Sequence, residues 1–451
     1  MEEQLNVGLE MHIYPPTRRK MFCACSADFL GAEPNTLLCP ICSGQPGSKP
    51  LPPNRECVLA GLRLAIMLGM SLSDQPVRTM RKHYFYPDLP SNYQRTSAPF
   101  ATGGQLGNVH FIEIHWEEDP GQYDASKGYV DFNRSGVPLL ELVTAPDMHS
   151  VDEVRNFMQD MHLLLDYLGI QRHGISMKVD TNVSVGKGER VEVKNINSSA
   201  GVLAAVKFEE KRQRALVNDG KKVVRETRHF DEITGETISL RYKETVDDYR
   251  YMNDPDILPV DINRIHVEEE RNPFLILSEM LYQGVRENDA RILIADRPLL
   301  EVYNALNGKA DSAYISNFIV RDVRAELAYR KLPSSFCLGS TILSGLGSLA
   351  TAAASGVLSN QNALLLLREL FDGRQIASSI AELSIDREAV DLEAAVRRVV
   401  SQQKDAVRRY VQGNRETLNF LVGVCMKELK GKARAQDIIP LLERVIGQSQ
   451  R

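Results

Sequence analysis

The chain has 451 residues, of which 43% are hydrophobic and 25% are charged, and its formal net charge is −5. This composition is typical of a soluble globular protein and excludes the collagen-like, disordered and disulfide-scaffold classes. The length predicts about three domains, and the acidic balance excludes a nucleic-acid binder whose whole surface is basic.

The charge is unevenly distributed along the chain. Residues 401–451 carry a net charge of +5, which leaves −10 on the first 400 residues. A basic tail on an acidic body is compatible with an RNA partner held at one end. The N-terminus has no apolar signal segment, and glycines and serines interrupt the smoothest apolar stretch, over 338–358. We therefore expect a cytoplasmic protein without a membrane segment.

The first 260 residues have the pattern of a sheet with a few helices. Short runs rich in Val, Ile, Tyr and Phe alternate with Gly, Pro, Asn and Asp, which predicts strands joined by turns. The predicted strands are Leu5–Ile13, 109–115, 129–132, 177–185, 190–193 and 223–230. Helical periodicity predicts helices over 55–68, Val151–Leu168 and Ser199–Asn218.

The rest of the chain has the pattern of a helical protein. The predicted helices are 272–285, 289–295, 298–305, 312–330, 361–371, 392–411 and 415–428. Strands followed by helices predict an α+β fold. We expect an N-terminal domain with a mixed or antiparallel sheet over 1–262, a helical domain over 263–390, and a small all-α basic tail domain over 391–451.

Four cysteines form the strongest spacing signal. Cys23, Cys25, Cys39 and Cys42 lie within twenty residues, and the other three cysteines stand alone. Two closely spaced pairs of thiolates can surround Zn²⁺ tetrahedrally, and such a closed shell is structural because it leaves no position open for a substrate. The alternative is four unligated thiols packed as small apolar side chains.

Acidic residues form the second signal. Glu10 and His12 are two residues apart in one predicted strand and therefore lie on the same face of it. Glu117 and Glu118 lie at the end of a second predicted strand, and Asp180 lies within a third. Carboxylates from several strands, with one imidazole, could hold Mg²⁺ beside a nucleotide phosphate. Each acid taken alone is better explained as a solvated surface group, and only convergence on one face of the sheet would favour a metal site.

The third signal is the segment 81–88, RKHYFYPD, in which cations alternate with aromatic rings. Cations bind phosphates while rings stack on unpaired bases, so this pattern is typical of contact with a single-stranded RNA end. A buried aromatic strand with a polar edge is the alternative. The sequence contains no G-x-x-x-x-G-K-S/T phosphate loop and no G-x-S-x-G nucleophile motif, so neither chemistry is expected from this chain.

Taken in order, these motifs resemble the B-subunit family of tRNA-dependent amidotransferases, and the similarity extends over essentially the whole chain. The matching segments are 7–12 (VGLEMH), 31–36 (GAEPNT), 84–90 (YFYPDLP), 117–119 (EED), 133–141 (NRSGVPLLE), 191–198 (VEVKNINS), 248–251 (DYRY), 418–423 (LNFLVG) and 430–433 (KGKA).

The resemblance implies an enzyme that converts Glu-tRNA(Gln) or Asp-tRNA(Asn) to the amidated aminoacyl-tRNA. A partner amidase, the A-subunit of such enzymes, would supply ammonia, and a small C-subunit would complete the complex. The catalytic domain over 1–262 would use ATP and Mg²⁺ to phosphorylate the side-chain carboxylate before ammonia displaces phosphate. The tail domain would bind the tRNA, and the four cysteines would correspond to a structural Zn²⁺ site of the family.

The resemblance also implies roles for individual residues. Mg²⁺ would be bound by Glu10, His12, Glu117, Glu118 and Asp180. Arg81 and Lys82 would complete the catalytic set through contacts with phosphate or with the ammonia channel. The residues implied to bind the substrate or the tRNA are Tyr84, Tyr86, Asp88, Arg134, Lys194, Asn195, Tyr249 and Arg250.

Two alternatives remain open at the level of sequence. The segment 78–80 reads RTM where the family usually has Lys-Phe-Asp, and His83 replaces an asparagine. These departures allow a divergent paralogue that amidates an acceptor other than tRNA. They also allow a non-catalytic tRNA-binding scaffold, which would keep its function after loss of Glu10 or Asp180.

Overall fold

The computed structural model describes residues 3–124, 126–242, 249–384, 392–429, 433 and 435–448. The chain forms two compact units, Met1–Asn272 and Pro273–Arg451. The first contains a large mixed sheet and three helices, and the second is helical, so the predicted α+β fold is confirmed. The division into three domains stays a prediction. Across the described residues, no helix combines the length and the apolar character needed to cross a membrane.

Thirteen strands of the first unit form one sheet, and two more form a separate hairpin. The strands are β1 (Leu5–Ile13), β2 (Ser71–Leu72), β3 (Thr79–His83), β4 (Tyr93–Ser97), β5 (Ala101–Thr102), β6 (Gln105–Leu106), β7 (Val109–Glu118), β8 (Gln122–Asp124), β9 (Tyr129–Asp131), β10 (Pro138–Thr144), β11 (Lys178–Val185), β12 (Val191–Ile196), β13 (Glu226–Asp231), β14 (Glu236–Tyr242) and β15 (Met252–Asn253). The main order is β14-β13-β12-β11-β1-β10-β7-β4-β3-β15, and β8 pairs with β9 in the hairpin.

The N-terminal strand β1 lies at the centre of this sheet, between β10 and β11, and pairs antiparallel with both. Its side chains alternate between the two faces, as the pleat requires. Leu5, Val7, Leu9 and Met11 are fully buried on one face. The intervening residues, which include Glu10 and His12, point to the other face. The sheet therefore separates an apolar core from a polar surface.

Three helices belong to the first unit: α1 (Arg55–Met67), α2 (Val151–Leu168) and α3 (Ser199–Asn218). Each begins at a side chain that accepts a backbone hydrogen bond, namely Asn54, Ser150 and Ser198. Such caps satisfy the unpaired N–H groups of the first helical turn. A Cβ at Gly61 of α1 would lie 2.7 Å from the Phe100 ring, so this helix packs against its neighbours at a distance that only glycine permits.

The second unit contains the remaining helices. They are α4 (Pro273–Tyr282), α5 (Glu287–Ala295), α6 (Arg297–Leu306), α7 (Ser312–Asn317), α8 (Arg324–Arg330), α9 (Ser340–Ala354), α10 (Asn360–Phe371), α11 (Ala377–Glu382), α12 (Leu392–Gln402), α13 (Lys404–Val411), α14 (Glu416–Glu428) and α15 (Ala435–Gln448). The last four share a core of buried apolar side chains, among them Val396, Val399, Leu421, Ile438 and Leu442.

The observed elements differ from the predicted ones in two ways. The predicted helix over 312–330 contains a π-helical stretch over 318–323, and the one over 392–411 breaks at Gln403, whose backbone leaves the helical region. Several strands were not predicted, among them β3, β4, β10 and β14. The segments 243–248 and 430–432, which contain part of two family-like motifs, lie outside the described residues.

Candidate functional site

A cleft with a volume of about 570 Å³ lies on the polar face of the sheet. Its lining residues come from the central strands, because the side chains that alternate away from the core all point to this face. Strand β1 contributes Glu10 and His12, β7 contributes Glu117, and β11 contributes Lys178 and Asp180. The cleft is therefore built by strands that are distant in sequence.

The strand register brings acidic and basic residues side by side. Glu10 lies opposite Asp180 across β1 and β11. His12 lies opposite Glu141 across β1 and β10, and Glu141 lies opposite His115 across β10 and β7. Directly opposed residues have Cβ atoms about 4.5–5.5 Å apart, so this part of the sheet concentrates four acidic or imidazole side chains beside Asp180.

Three of these side chains could hold a metal ion. Ligand atoms of Glu10, His12 and Glu141 all lie within 4.8 Å of one another. The His12 Nε2 atom is 3.9 Å from Glu10 Oε1 and 3.9 Å from Glu141 Oε2. Carboxylate oxygens are the ligands that Mg²⁺ prefers. Glu141 was not among the predicted ligands, although a single acid in the apolar strand PLLELVT was a signal for it.

The acidic side chains raise one another's pKa. Burial, followed by the charges of Glu141 and Asp180, raises the pKa of Glu10 to about 7, against the opposing effect of His12 and Lys194. Burial alone would lower the pKa of His12, but the surrounding carboxylates outweigh it, and the net shift is upward. A cation bound here would relieve this repulsion, so the site fits a divalent metal.

Lysines complete the charged lining, and besides Lys178 they are Lys82 and Lys194. Lys194 Nζ lies 3.1 Å from Asp180 Oδ2 and 3.7 Å from Glu192 Oε1. Lys82 Nζ lies 4.9 Å from the centre of the Tyr249 ring. Burial would lower the pKa of Lys82, but Glu117 and Glu141 raise it well above its usual value. Both lysines therefore present positive charge to the cleft beside the carboxylates.

The adjacent residues Glu117 and Glu118 occupy opposite faces of β7. Glu117 lines the cleft and accepts a hydrogen bond of 3.0 Å from Gln94 Nε2. Glu118 accepts hydrogen bonds from the backbone and guanidinium of Arg95. The structure thus brings Glu117 together with Glu10, His12 and Asp180, and it does not bring Glu118 there. Gln94, which follows the basic and aromatic segment in the sequence, also lines the cleft, although no role was predicted for it.

Arg81 and Lys82 are separated in the same way. Arg81 donates to Asp254 at 2.9 Å and also pairs with Asp256 at 3.3 Å. These contacts hold its guanidinium outside the cleft that Lys82 lines. Of the two predicted catalytic cations, the structure brings only Lys82 beside the acidic cluster.

An aromatic segment forms another wall of the cleft. Tyr84 donates a hydrogen bond of 3.2 Å to Gln94 Oε1 and meets Tyr249 edge-on at 6.0 Å. Phe85 is 85% exposed although it lines the cleft. Tyr86 and Asp88 line the same wall. Four of the residues expected to bind substrate or tRNA, Tyr84, Tyr86, Asp88 and Tyr249, are therefore gathered here.

The other expected binding residues have different surroundings. Lys194 lines the cleft. Arg134 lies behind its wall, where its Nε atom is 3.3 Å from Asp119 Oδ2. Arg250 is exposed, and its backbone carbonyl accepts a hydrogen bond from His83 when the imidazole Nδ1 is protonated. The side chain of Asn195 lies outside the described part of the structure.

The four clustered cysteines form a second candidate metal site. Their Sγ atoms all lie within 4.8 Å of one another, and Cys42 Sγ is 3.9 Å from Cys39 Sγ and 4.0 Å from Cys25 Sγ. A Zn–S distance of about 2.3 Å in a tetrahedron requires sulfur atoms roughly 3.8 Å apart. The arrangement therefore fits a structural Zn²⁺ ion bound by Cys23, Cys25, Cys39 and Cys42.

A buried lysine supports this fit. Lys20 is 1% exposed, and its Nζ atom contacts Leu37 O at 3.0 Å, Phe132 O at 3.4 Å and Cys42 Sγ at 3.5 Å. A buried ammonium group is costly unless it is hydrogen-bonded and its charge is balanced. Thiolates around a metal ion carry net negative charge, so they would provide that balance.

Comparison with known protein families gives two matches that together cover most of the chain. The family described as GatB/GatE catalytic domain matches residues 5–268. The family described as GatB domain matches residues 301–446. The first match includes the whole sheet with the cleft and the four cysteines.

Individual proteins are similar over almost the full length. A protein of Methanothermobacter thermautotrophicus is 38% identical over 452 residues, covering 98% of this chain and 100% of its own. A protein of Methanopyrus kandleri is 39% identical over 450 residues, covering 97% of this chain and 98% of its own. Both are named as the B-subunit of aspartyl/glutamyl-tRNA(Asn/Gln) amidotransferase.

Proposed function

The chain belongs to the GatB/GatE family of amidotransferase subunits, and we propose that it amidates misacylated tRNA. The acceptor is Glu-tRNA(Gln), Asp-tRNA(Asn) or both. The side-chain carboxylate attacks the γ-phosphorus of ATP and ADP leaves. Ammonia then attacks the resulting acyl phosphate, phosphate leaves, and one proton is released. Activation is needed because a free carboxylate is a poor electrophile.

The observation that carries this proposal is the clustering of carboxylates and lysines in one cleft. Glu10, His12, Glu141, Glu117 and Asp180 would hold Mg²⁺ there. Mg²⁺ neutralises the negative charge of transferring phosphates when it is bound. Lys82 and Lys194 contribute fixed positive charge to the phosphate oxygens and to the incoming carboxylate. Phosphoryl transfer depends mainly on such positioning and charge stabilisation.

The acidic cluster also determines the side of the cleft on which the substrate carboxylate binds. Negative charge on the carboxylates of the cluster would repel the carboxylate of a glutamate or aspartate substrate. Lys82 lies close enough to Glu117 and Glu141 to feel their charge, and Lys194 contacts Asp180. The substrate carboxylate would therefore enter on the side of the lysines, which face the cleft together with the aromatic wall.

Partner proteins and the tRNA complete the proposal. An amidase, the A-subunit of the complex, would release ammonia, since the chain has no nucleophile motif for amide hydrolysis, and a small C-subunit would belong to the same complex. The tail domain, 391–451, would bind tRNA through its basic residues, and the wall with Tyr84 and Tyr86 would receive the aminoacylated end. Zn²⁺ would have a structural role in the four-cysteine site.

The test is amidation by this chain in complex with its amidase partner. With ATP, glutamine and each misacylated tRNA, we expect amidated aminoacyl-tRNA for at least one tRNA. Glu10→Gln and Asp180→Asn should each lower kcat/KM by roughly 10²–10³, because each removes a preorganised charged group from the reacting phosphate. Asp256→Asn is the control, since its carboxylate lies outside the cleft and pairs with Arg81.

Other results would contradict the proposal in distinguishable ways. Full activity in both cleft variants would indicate a tRNA-binding scaffold whose carboxylates are not used. ATP hydrolysis without amidation of either tRNA, and without dependence on tRNA, would indicate a different acceptor.

A further inference from the structure

A second group of charged residues lies apart from the proposed metal ligands, with Asp119 and Lys178 lining the cleft and Arg134 behind its wall. Asp119 accepts a hydrogen bond of 2.8 Å from the Tyr14 hydroxyl. Arg134 Nε lies 3.3 Å and Lys178 Nζ lies 3.9 Å from the same Asp119 oxygen. Asp119 is therefore surrounded by donors that the protein itself supplies, and it needs nothing from a substrate.

Asp88 lines the same cleft, but unlike Asp119 it has a carboxylate oxygen without a hydrogen-bond donor in the part of the chain that the structure describes. Its Oδ1 atom is buried and accepts no hydrogen bond from any described residue. Burial raises the pKa of Asp88, and it outweighs the charges of Arg134 and Lys178 and a hydrogen bond from the residue's own backbone N–H, all of which lower that pKa. Arg134 donates its hydrogen bonds elsewhere, to the carbonyl oxygens of Pro120 and Gly121.

The backbone holds Asp88 rigidly in this position. Its carbonyl oxygen accepts a hydrogen bond of 2.8 Å from the Gly121 N–H. A Cβ at Gly121 would lie 3.0 Å from that oxygen and 2.9 Å from the Phe132 ring, so the two segments approach as closely as glycine allows. The next residue, Leu89, is buried. The backbone of Asp88 is therefore fixed at the wall of the cleft, and the side chain itself is half-buried.

Leaving a buried carboxylate oxygen without a donor costs more free energy than a typical hydrogen bond contributes to stability. Such groups in native structures call for an explanation, and a bound ligand is one. The ligand must supply an N–H or O–H donor, and positive charge would strengthen the bond to a carboxylate. This chemistry is that of a substrate ammonium group.

The proposed substrate carries one such group. An amino acid esterified to tRNA has a free α-ammonium, and its side-chain carboxylate would face the lysines of the cleft. We propose that Asp88 binds the α-ammonium group of the esterified amino acid and so selects substrates with a free α-amine. This inference rests on the proposed function, and it assigns a recognition group that the phosphate chemistry does not require.

The test compares two substrates that differ only at the α-position. The full complex, with ATP and ammonium chloride as nitrogen donor, is given the misacylated tRNA that it amidates and the same tRNA carrying the 2-hydroxy analogue of the amino acid. We expect wild type to prefer the amine in kcat/KM by about 10- to 100-fold, as for a charge-assisted hydrogen bond. Asp88→Asn should reduce this preference to within about threefold.

Two further variants make the outcome decisive. Asp124→Asn removes a half-buried carboxylate of β8 whose partners among the described residues are Ser126 and Lys127, and it should keep the wild-type preference. Asp88→Glu keeps the charge and should keep part of the preference, which separates recognition from a folding defect.

The inference fails if Asp88→Asn lowers kcat/KM for both substrates by the same factor. Asp88 would then contact a shared group, such as a ribose hydroxyl, or only shape the wall. If wild type amidates neither misacylated tRNA, the proposed function itself fails, and this inference fails with it. If wild type uses both substrates equally well, only the inference about Asp88 is overturned.

Discussion

Asp254 is the buried carboxylate on which two arginines of the sheet converge. Its side chain is fully buried, and it accepts hydrogen bonds of 2.9 Å from both Arg81 and Arg95. Removing one partner of a buried ion pair leaves the others charged and unpaired, and this loss costs far more than breaking a pair at the surface. Asp254 therefore anchors the edge of the sheet formed by β3, β4 and β15.

We expect Asp254→Asn to lower the free energy of unfolding of the first unit by about 3–5 kcal/mol at pH 7. The single tryptophan, Trp116, is buried against Phe100 and reports on this unit by fluorescence during denaturant titration. The control is Asp256→Asn, whose carboxylate is 44% exposed and should contribute less than about 1 kcal/mol. Equal losses in the two variants would contradict the role given to burial.

The same carboxylate predicts a dependence on pH. Burial raises the pKa of Asp254, but the hydrogen bonds from Arg81 and Arg95 outweigh it and hold the pKa below its usual value. The stabilisation is then fully present above the unfolded pKa, about 4, and is lost as pH falls through the lower folded pKa. The difference between wild type and Asp254→Asn should stay constant from pH 7 to about 4 and shrink below it.

At the scale of elements, the cysteine loop and the loop before β10 act as one structure. Leu37 N–H donates to Asn133 Oδ1, and Asn133 Nδ2 donates to Glu33 O. The Lys20 ammonium group contacts both the Cys42 sulfur and the Phe132 carbonyl oxygen. The loop 130–137 also contains Arg134, which contacts the backbone of the cleft wall. Order in the four-cysteine loop therefore supports the position of that wall.

We expect purified protein to contain one zinc ion per chain by metal analysis, and Cys39→Ser to lose it because three thiolates no longer close the tetrahedron. Amide hydrogen exchange should then become faster in both 33–42 and 130–137, since the two loops share hydrogen bonds. Cys57→Ser is the control, because Cys57 is buried away from the cluster. Zinc-free wild type, or equal zinc loss in the control, would refute the assignment.

The sequence predicted elements whose pattern is local and missed those set by distant pairing. Helices Val151–Leu168 and Ser199–Asn218 and strand Leu5–Ile13 were predicted with the observed bounds, because periodicity and caps are readable within each segment. Strands β3 and β4 are rich in polar residues, and they are stabilised by distant partners, through their pairing with each other and with β7 and β15 and through the contacts of their arginines with Asp254. No local sequence pattern predicts such strands.

The candidate site was predictable to the same extent. Glu10 and His12 share a face by the alternation of one strand, and that prediction needed no partner. Because side chains alternate between the two faces of a strand, Glu117 and Glu118 must point in opposite directions. The two side chains therefore cannot both belong to one site. Glu141 joins Glu10 and His12 only through the register of β1 with β10, which the sequence does not encode locally.

At the scale of the whole molecule, charge is divided between an acidic body and a basic tail. The tail, 401–451, carries +5 against −10 for the preceding residues. Phosphate contacts give affinity that depends on salt but not on sequence. Under the proposed function, the basic tail would therefore bind the phosphate backbone of the tRNA.

We expect the double variant Arg408→Gln, Arg409→Gln to weaken tRNA binding and to reduce the slope of log K against log salt by about 1 to 2. Both arginines are exposed on α13. The matched control, Arg214→Gln with Arg291→Gln, removes the same total charge from arginines paired with carboxylates on their own helices. Filter binding at several salt concentrations measures the slopes, and equal slopes in both double variants would contradict a role for the tail.

The central position of β1 has a consequence for protein synthesis. This strand precedes both of its neighbours, β10 and β11, by more than a hundred residues. Until both leave the ribosome, Leu5, Val7 and Leu9 have no sheet to join, and unpaired strands with exposed apolar residues are prone to aggregate. Until its neighbours are synthesised, β1 is therefore a segment at risk of aggregation.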